Sequence, residues 1–195
     1  IWREINATRV SNTSFTVVGD QTNLFQKGLV IKWIEGSLIK LAMCVSSTVS
    51  SVTTVTMIGD ICSSTASEFK YCINPVEIIR FAVAGTIGMT GTDVANAYYT
   101  NYAIKIFGAD IQVGAAGTTN STTIDINKGG TSLFTNKPSL ASTVAYSSSP
   151  FVADVNTNTA ANNKITIDID AVQSTPAVDL YVQLYVFQTR LLYIN

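Results

Sequence analysis

The side chains with the types and spacing to do chemistry are three aspartates and one row of aromatics. Asp168 and Asp170 alternate with Ile165, Ile167 and Ile169. Both carboxylates therefore share a strand face, two residues or roughly 7 Å apart. Asp125 stands in a similar alternating stretch, next to Asn127. Carboxylates grouped with an amide carbonyl are the oxygen ligands that Ca²⁺ takes, which makes Asp125, Asp168 and Asp170 calcium candidates. A pair of carboxylates is also the machinery of a glycosidase. That mechanism needs one carboxyl held protonated in an apolar pocket, and no such pocket is legible around any Asp or Glu. The plain alternative is a solvated outer face whose charges blunt aggregation, and it is the reading the sequence favours.

The aromatic row lies on the last long alternating stretch. Val178, Leu180, Val182, Leu184 and Val186 take one face, and Tyr181, Gln183, Tyr185 and Phe187 take the other. An outer face should be polar, and this one is aromatic. Aromatic rings stack on the apolar faces of sugars, which extends the usual face-stacking argument. Aromatics are also enriched where a second subunit covers a surface. The low charge content favours the subunit, so these four residues are interface candidates first and glycan-contact candidates second. Tyr98, Tyr99 and Tyr102 form another group, read as loop anchors.

Composition removes whole classes of function. There is no His in 195 residues, and Lys plus Arg (12) balance Asp plus Glu (13) to a net charge of -1. Nucleophiles that depend on an imidazole base are excluded, as is His-ligated zinc. No basic block offers a footprint for nucleic acid. No apolar run approaches the length of a membrane-spanning helix, so no membrane insertion is expected. A mean hydropathy of +0.29 without such a run points to a subunit interface. Three cysteines, Cys44, Cys62 and Cys72, cannot complete a disulfide framework. Cys62 and Cys72 could pair across neighbouring strands, but three buried thiols is the favoured reading. Asn6, Asn12 and Asn120 begin glycosylation sequons, of the kind expected by chance in so Ser- and Thr-rich a chain. Gly114 to Gly117 lacks the Gly-Lys-Ser/Thr ending of a phosphate loop. No cofactor is called for. The chain starts at Ile1 and reads as a fragment, a processed form or part of something longer, with no signal peptide pattern.

The elements that must position these residues are strands. Period-two alternation marks 15–18, 29–34, 38–45, 53–58, 102–113, 122–127, 164–172 and 177–187. Gly108 is a candidate bulge, and Lys128-Gly129-Gly130 a strong turn. Ser46 to Ser51 reads as a hairpin tip, and 85–102 as a long connection, with one helical turn expected at Val94 to Tyr99. No longer window carries a helical period. Asn74-Pro75 breaks the pattern, because proline restricts the residue before it. The expected architecture is all-β: a small antiparallel β-domain at 1–76, then a β-sandwich or jelly roll at 77–195.

Two stretches are similar to known modules. Trp2, Ala7-Thr8, Val10-Ser11 and Thr13 to Thr22, followed by Phe25, Gly28 and Ile31-Lys32, resemble a small β-module of tailed-bacteriophage virion proteins; Ser50 to Thr56 with Gly59-Asp60 continues it. Asp110 to Gly117, Thr123 to Leu133, Lys164 to Asp170 and Val178 to Val182 resemble a phage jelly-roll module. One departure is Thr175-Pro176-Ala177, where a glycine turn would be expected. The resemblance implies a non-enzymatic structural or adhesive subunit of a head fibre, tail fibre or baseplate appendage. It further implies a homotrimer on the virion surface beside other virion proteins, with host attachment as its task. A host-surface glycan is a possible partner under that implication. A carbohydrate-binding module of a secreted bacterial protein is the alternative from a different class.

Overall fold

The computed structural model describes residues 2–147 and 150–193. The chain is all-β, and its strand ladders among the described residues are antiparallel. It divides into two compact units, Ile1–Glu77 with Arg190–Asn195, and Ile78–Thr189. The sequence expectation gave the whole of 77–195 to the second domain, so the last residues are a correction. Trp2 Nε1 donates to the Leu191 carbonyl at 3.0 Å, and Lys32 Nζ donates to that of Leu192 at 3.1 Å. These bonds tie the C-terminal turn into the first unit. No helix among the described residues is long and apolar enough to cross a membrane.

The first unit is a seven-stranded sheet made of β1 (Trp2–Glu4), β2 (Ala7–Ser11), β3 (Ser14–Val18), β4 (Leu29–Glu35), β5 (Leu38–Val49), β6 (Val52–Gly59) and β7 (Ser67–Pro75). Its order is β1-β7-β4-β5-β6-β3-β2. The two edge strands, β1 and β2, are joined only by Ile5 and Asn6. So short a link reaches about 10 Å, or two strand spacings, so the sheet curls into a half-barrel that brings its two edges near each other there. Alternation fills the inside of the curl with Phe15, Val17, Ile31, Trp33, Val55 and Met57. Phe69 knits the rings together, stacked 6.0 Å from Trp33 and tilted 5.5 Å from Phe15. Burying each such side chain contributes about 2–3 kcal/mol.

The second unit is a sandwich. One sheet contains β8 (Glu77–Thr86), β10 (Ile104–Ala115), β14 (Phe151–Val152), β15 (Asn158–Thr159) and β17 (Val178–Gln188). The other contains β9 (Tyr98–Tyr99), β11 (Thr122–Lys128), β12 (Thr131–Ser132), β13 (Ser139–Leu140) and β16 (Lys164–Ala171). Inward isoleucines, valines and leucines from both sheets make one core, including Ile106, Ile111, Ile124, Ile126, Ile167, Val182 and Leu184. The Gly129-Gly130 turn joins β11 to β12 with φ of 57° and 81°. A two-residue hairpin of this hand needs φ above zero at both central positions, which glycine supplies without strain.

Two local expectations are corrected. Val94 to Tyr99 forms no helical turn: Tyr98 and Tyr99 pair with Ile165 and Lys164 as a strand, and Val94 N donates to the Ile167 carbonyl. The hairpin tip is narrower than 46–51, because β5 keeps pairing with β6 as far as Val49 opposite Thr53.

Candidate functional site

The aspartates do converge, but around an ammonium. Asp125 on β11 stands opposite Asp168 on β16. Lys137 Nζ lies 2.8 Å from Asp125 Oδ2 and 2.5 Å from Asp170 Oδ2. Hydrogen bonds to the Asp125 and Asp170 carboxylates hold the lysine pKa well above its ordinary value, with desolvation opposing them. Ser132 Oγ donates to Asp125 Oδ1 at 2.6 Å. Asp168 takes a different pair of donors, Asn127 Nδ2 at 2.9 Å and the Asp93 amide at 2.8 Å. Asp93 is itself paired with Lys164 at 2.6 Å, the main reason its carboxyl sits below the usual range.

This arrangement corrects the expected solvated outer face. Asp125, Asn127 and Thr166 are all buried on it, while Asp170 remains exposed. The tight turn at Gly129-Gly130 sends the chain back so that Ser132 and Lys137 reach over the sheet. Each carboxylate then finds a donor, which is what burial of a charge requires. Among the described residues no group of three or more acidic or sulfur side chains is arranged to hold a metal ion. A calcium ion would have to displace the Lys137 ammonium from between Asp125 and Asp170.

The aromatic row is graded along β17. Tyr181 is 43% exposed, Gln183 is half-buried, and Tyr185 and Phe187 are 6% and 1% exposed. Tyr185 and Phe187 are therefore corrected from interface or glycan-contact candidates to interior residues. The cause at Tyr185 is local. β10 carries a bulge between Ile106 and Gly108, which sets Gly108 opposite Tyr185. With no side chain there, the ring has room to lie down, and its hydroxyl donates to Asp110 Oδ2 at 2.6 Å.

The exposed end of the row gains a partner that the sequence did not reveal. Gln112 on β10 pairs with Tyr181 on one side and bridges to Tyr146 on the other. Paired residues of an antiparallel ladder point the same way. Tyr146, Gln112 and Tyr181 thus form one exposed line across the sheet, with Tyr146 53% exposed. Two strand spacings, about 9.6 Å, separate the tyrosine backbones. Nothing near Tyr146 alternates, since a loop brings it to β10. Of the remaining tyrosines, Tyr99 is exposed, and Tyr98 and Tyr102 pack against the sandwich core.

Cys44, Cys62 and Cys72 are buried free thiols. Burial pushes the Cys44 pKa up to about 12, and its Sγ donates to the Phe25 carbonyl at 3.3 Å. Burial also raises Cys62. No family model, no curated protein and no solved structure matches this chain.

Proposed function

We propose that the chain is a non-enzymatic structural and adhesive subunit of a tailed-phage virion, a homotrimeric fibre or appendage displayed on the particle surface. The observation that carries the reading is how the acidic groups are used. Asp125, Asp168 and Asp170 are all engaged by donors of the same unit, holding loops to a sheet. Groups so engaged fasten a fold and leave no acid and base poised for a substrate. The resemblance of both halves to phage virion modules supplies the setting. In that setting the work is done by avidity, several weak contacts on one rigid particle adding to a firm hold. The test is the mass in solution, by light scattering behind a sizing column. A mass of three subunits is expected, and a clean monomer at micromolar concentration overturns the trimeric appendage.

A second reading is favoured by the line of Tyr146, Gln112 and Tyr181. Two exposed rings flanking an amide are the makings of a glycan platform, so a carbohydrate-binding module is the alternative. It expects a soluble monomer whose glycan binding is lost in Tyr181→Ala.

A further inference from the structure

We propose that the first unit carries a binding site for a neutral saccharide in the recess where β1 turns into β2. This inference does not depend on the virion reading, and it lies apart from the Tyr146–Tyr181 line. The recess has a volume of about 310 Å³. That is the lower end of small-molecule sites, which favour the mouths of curled sheets. It suits a single hexose ring.

The walls divide by chemistry. Leu24 and the buried Phe25 supply apolar surface, and the Tyr71 ring meets Phe25 edge-on at 6.3 Å. Asn6, Gln21 and Tyr71 carry polar groups, and their side chains make no hydrogen bond to the described residues. An amide both donates and accepts, and so does a phenol. Sugar hydroxyls do the same, while the C–H face of a pyranose suits the aromatic wall. The charge pattern narrows the class further. Glu4 is the charged residue of the lining, and it faces Lys70 at 3.5 Å. Among the described residues that line the recess none is a cation, so phosphate and carboxylate ligands lack there the partner they favour.

The recess is also held open in advance. The Gln21 amide donates to Thr53 Oγ1 at 2.8 Å, and the Leu24 and Phe25 amides both donate to the Gln21 carbonyl at 3.0 Å. A loop fixed in this way loses little freedom on binding.

The test is saturation-transfer NMR on the full chain with the methyl glycosides of glucose, galactose and mannose, and with N-acetylglucosamine, at millimolar concentration. At least one sugar is expected to show transfer. The Asn6→Ala/Gln21→Ala double variant, altered only at exposed positions, should bind it about tenfold more weakly through the loss of two hydrogen bonds. Leu24→Trp, which fills the recess, should abolish the signal. Transfer from none of the four sugars overturns the proposal. So does binding that survives both variants, or binding that is lost only in Tyr146→Ala, which would assign it to the second unit.

Discussion

Trp33 and Glu35 are joined side chain to side chain on one strand, with Nε1 of the fully buried indole donating to Oε1 of the carboxylate at 2.8 Å. Residues two apart on a strand share a face, so the contact follows from the spacing alone. The same oxygen accepts the Ser63 amide at 2.7 Å. One carboxylate thus orients the largest ring of the first core and pins the loop after β6.

This pair predicts a pH dependence. The hydrogen bond from Trp33 is the leading reason the Glu35 pKa lies below its ordinary value, with Ser63 adding to it and desolvation opposing it. A carboxyl whose folded pKa is depressed contributes stability that is complete above its unfolded pKa, about 4.3, and is lost as pH falls through the folded value. The first unit should therefore lose stability on acidification through and below pH of about 4. Glu35→Gln keeps an acceptor for Trp33 and removes the titration. Its stability, followed by tryptophan fluorescence in urea, should be flatter across that window than the wild type. An unchanged slope would assign the acid sensitivity to other groups.

Gly117 makes a second prediction, this time of sterics. A Cβ built there would stand 2.8 Å from the Ala177 amide nitrogen and would run into the Thr175 carbonyl and the Gln173 side chain. Two of these are backbone atoms and cannot swing aside. Gly117→Ala should destabilise the second unit by about 3 kcal/mol, the upper range for overpacking. Gly88 is the control, because its Cβ would meet only ordinary contacts at 3.7 Å. Gly88→Ala should change stability by less than about 0.5 kcal/mol. Equal melting temperatures for the two variants would show that the Thr175–Ala177 turn yields.

That turn shows what the sequence could and could not reveal. The long strands were legible because Ile165, Ile167 and Ile169, or Val182 and Leu184, repeat at the period of a pleated sheet with one buried face. The Gly129-Gly130 hairpin was legible because its chemistry is local. The strands β7 and β8 were obscured by Asn74-Pro75, which reads as a break although β7 runs to Pro75 before β8 begins at Glu77. The candidate site was less legible than the fold. Alternation placed Asp125 and Asp168 on outer faces correctly, but alternation says nothing of what a later loop lays over that face. Lys137 and Tyr146 both arrive from loops, and no periodic signal announces them.

Lys137 itself carries the third prediction. Asp125 is 5% exposed, so removing its cation leaves a buried charge with Ser132 as its remaining donor. Breaking a buried pair costs more than a surface pair returns. Because the lysine side chain is 37% exposed, the expected loss in Lys137→Met is discounted to about 2 kcal/mol. Asp125→Asn added to that variant should restore at least half of it, measured by denaturant unfolding. In the wild type, millimolar calcium chloride should leave the melting temperature unmoved. A rise of several degrees would return Asp125 and Asp170 to the role of calcium ligands.

The last prediction separates the two ends of the β17 aromatic row. Tyr185→Phe keeps the ring and removes the hydrogen bond to the Asp110 carboxylate, a bond to a charged acceptor. It should lower stability by about 1.5 kcal/mol, the lower range for such bonds. It should leave the solution mass and any surface binding unchanged. Tyr181→Ala should behave in the opposite way. Its side chain is largely outside the core, so stability should move by less than about 0.5 kcal/mol. Its loss should instead weaken whatever the Tyr146–Gln112–Tyr181 line contacts, whether a second copy of the chain or a glycan. Scattering reads the first and saturation transfer the second. A Tyr181→Ala protein unchanged in mass and in sugar binding would leave the exposed line without a function and remove the carbohydrate-module alternative with it.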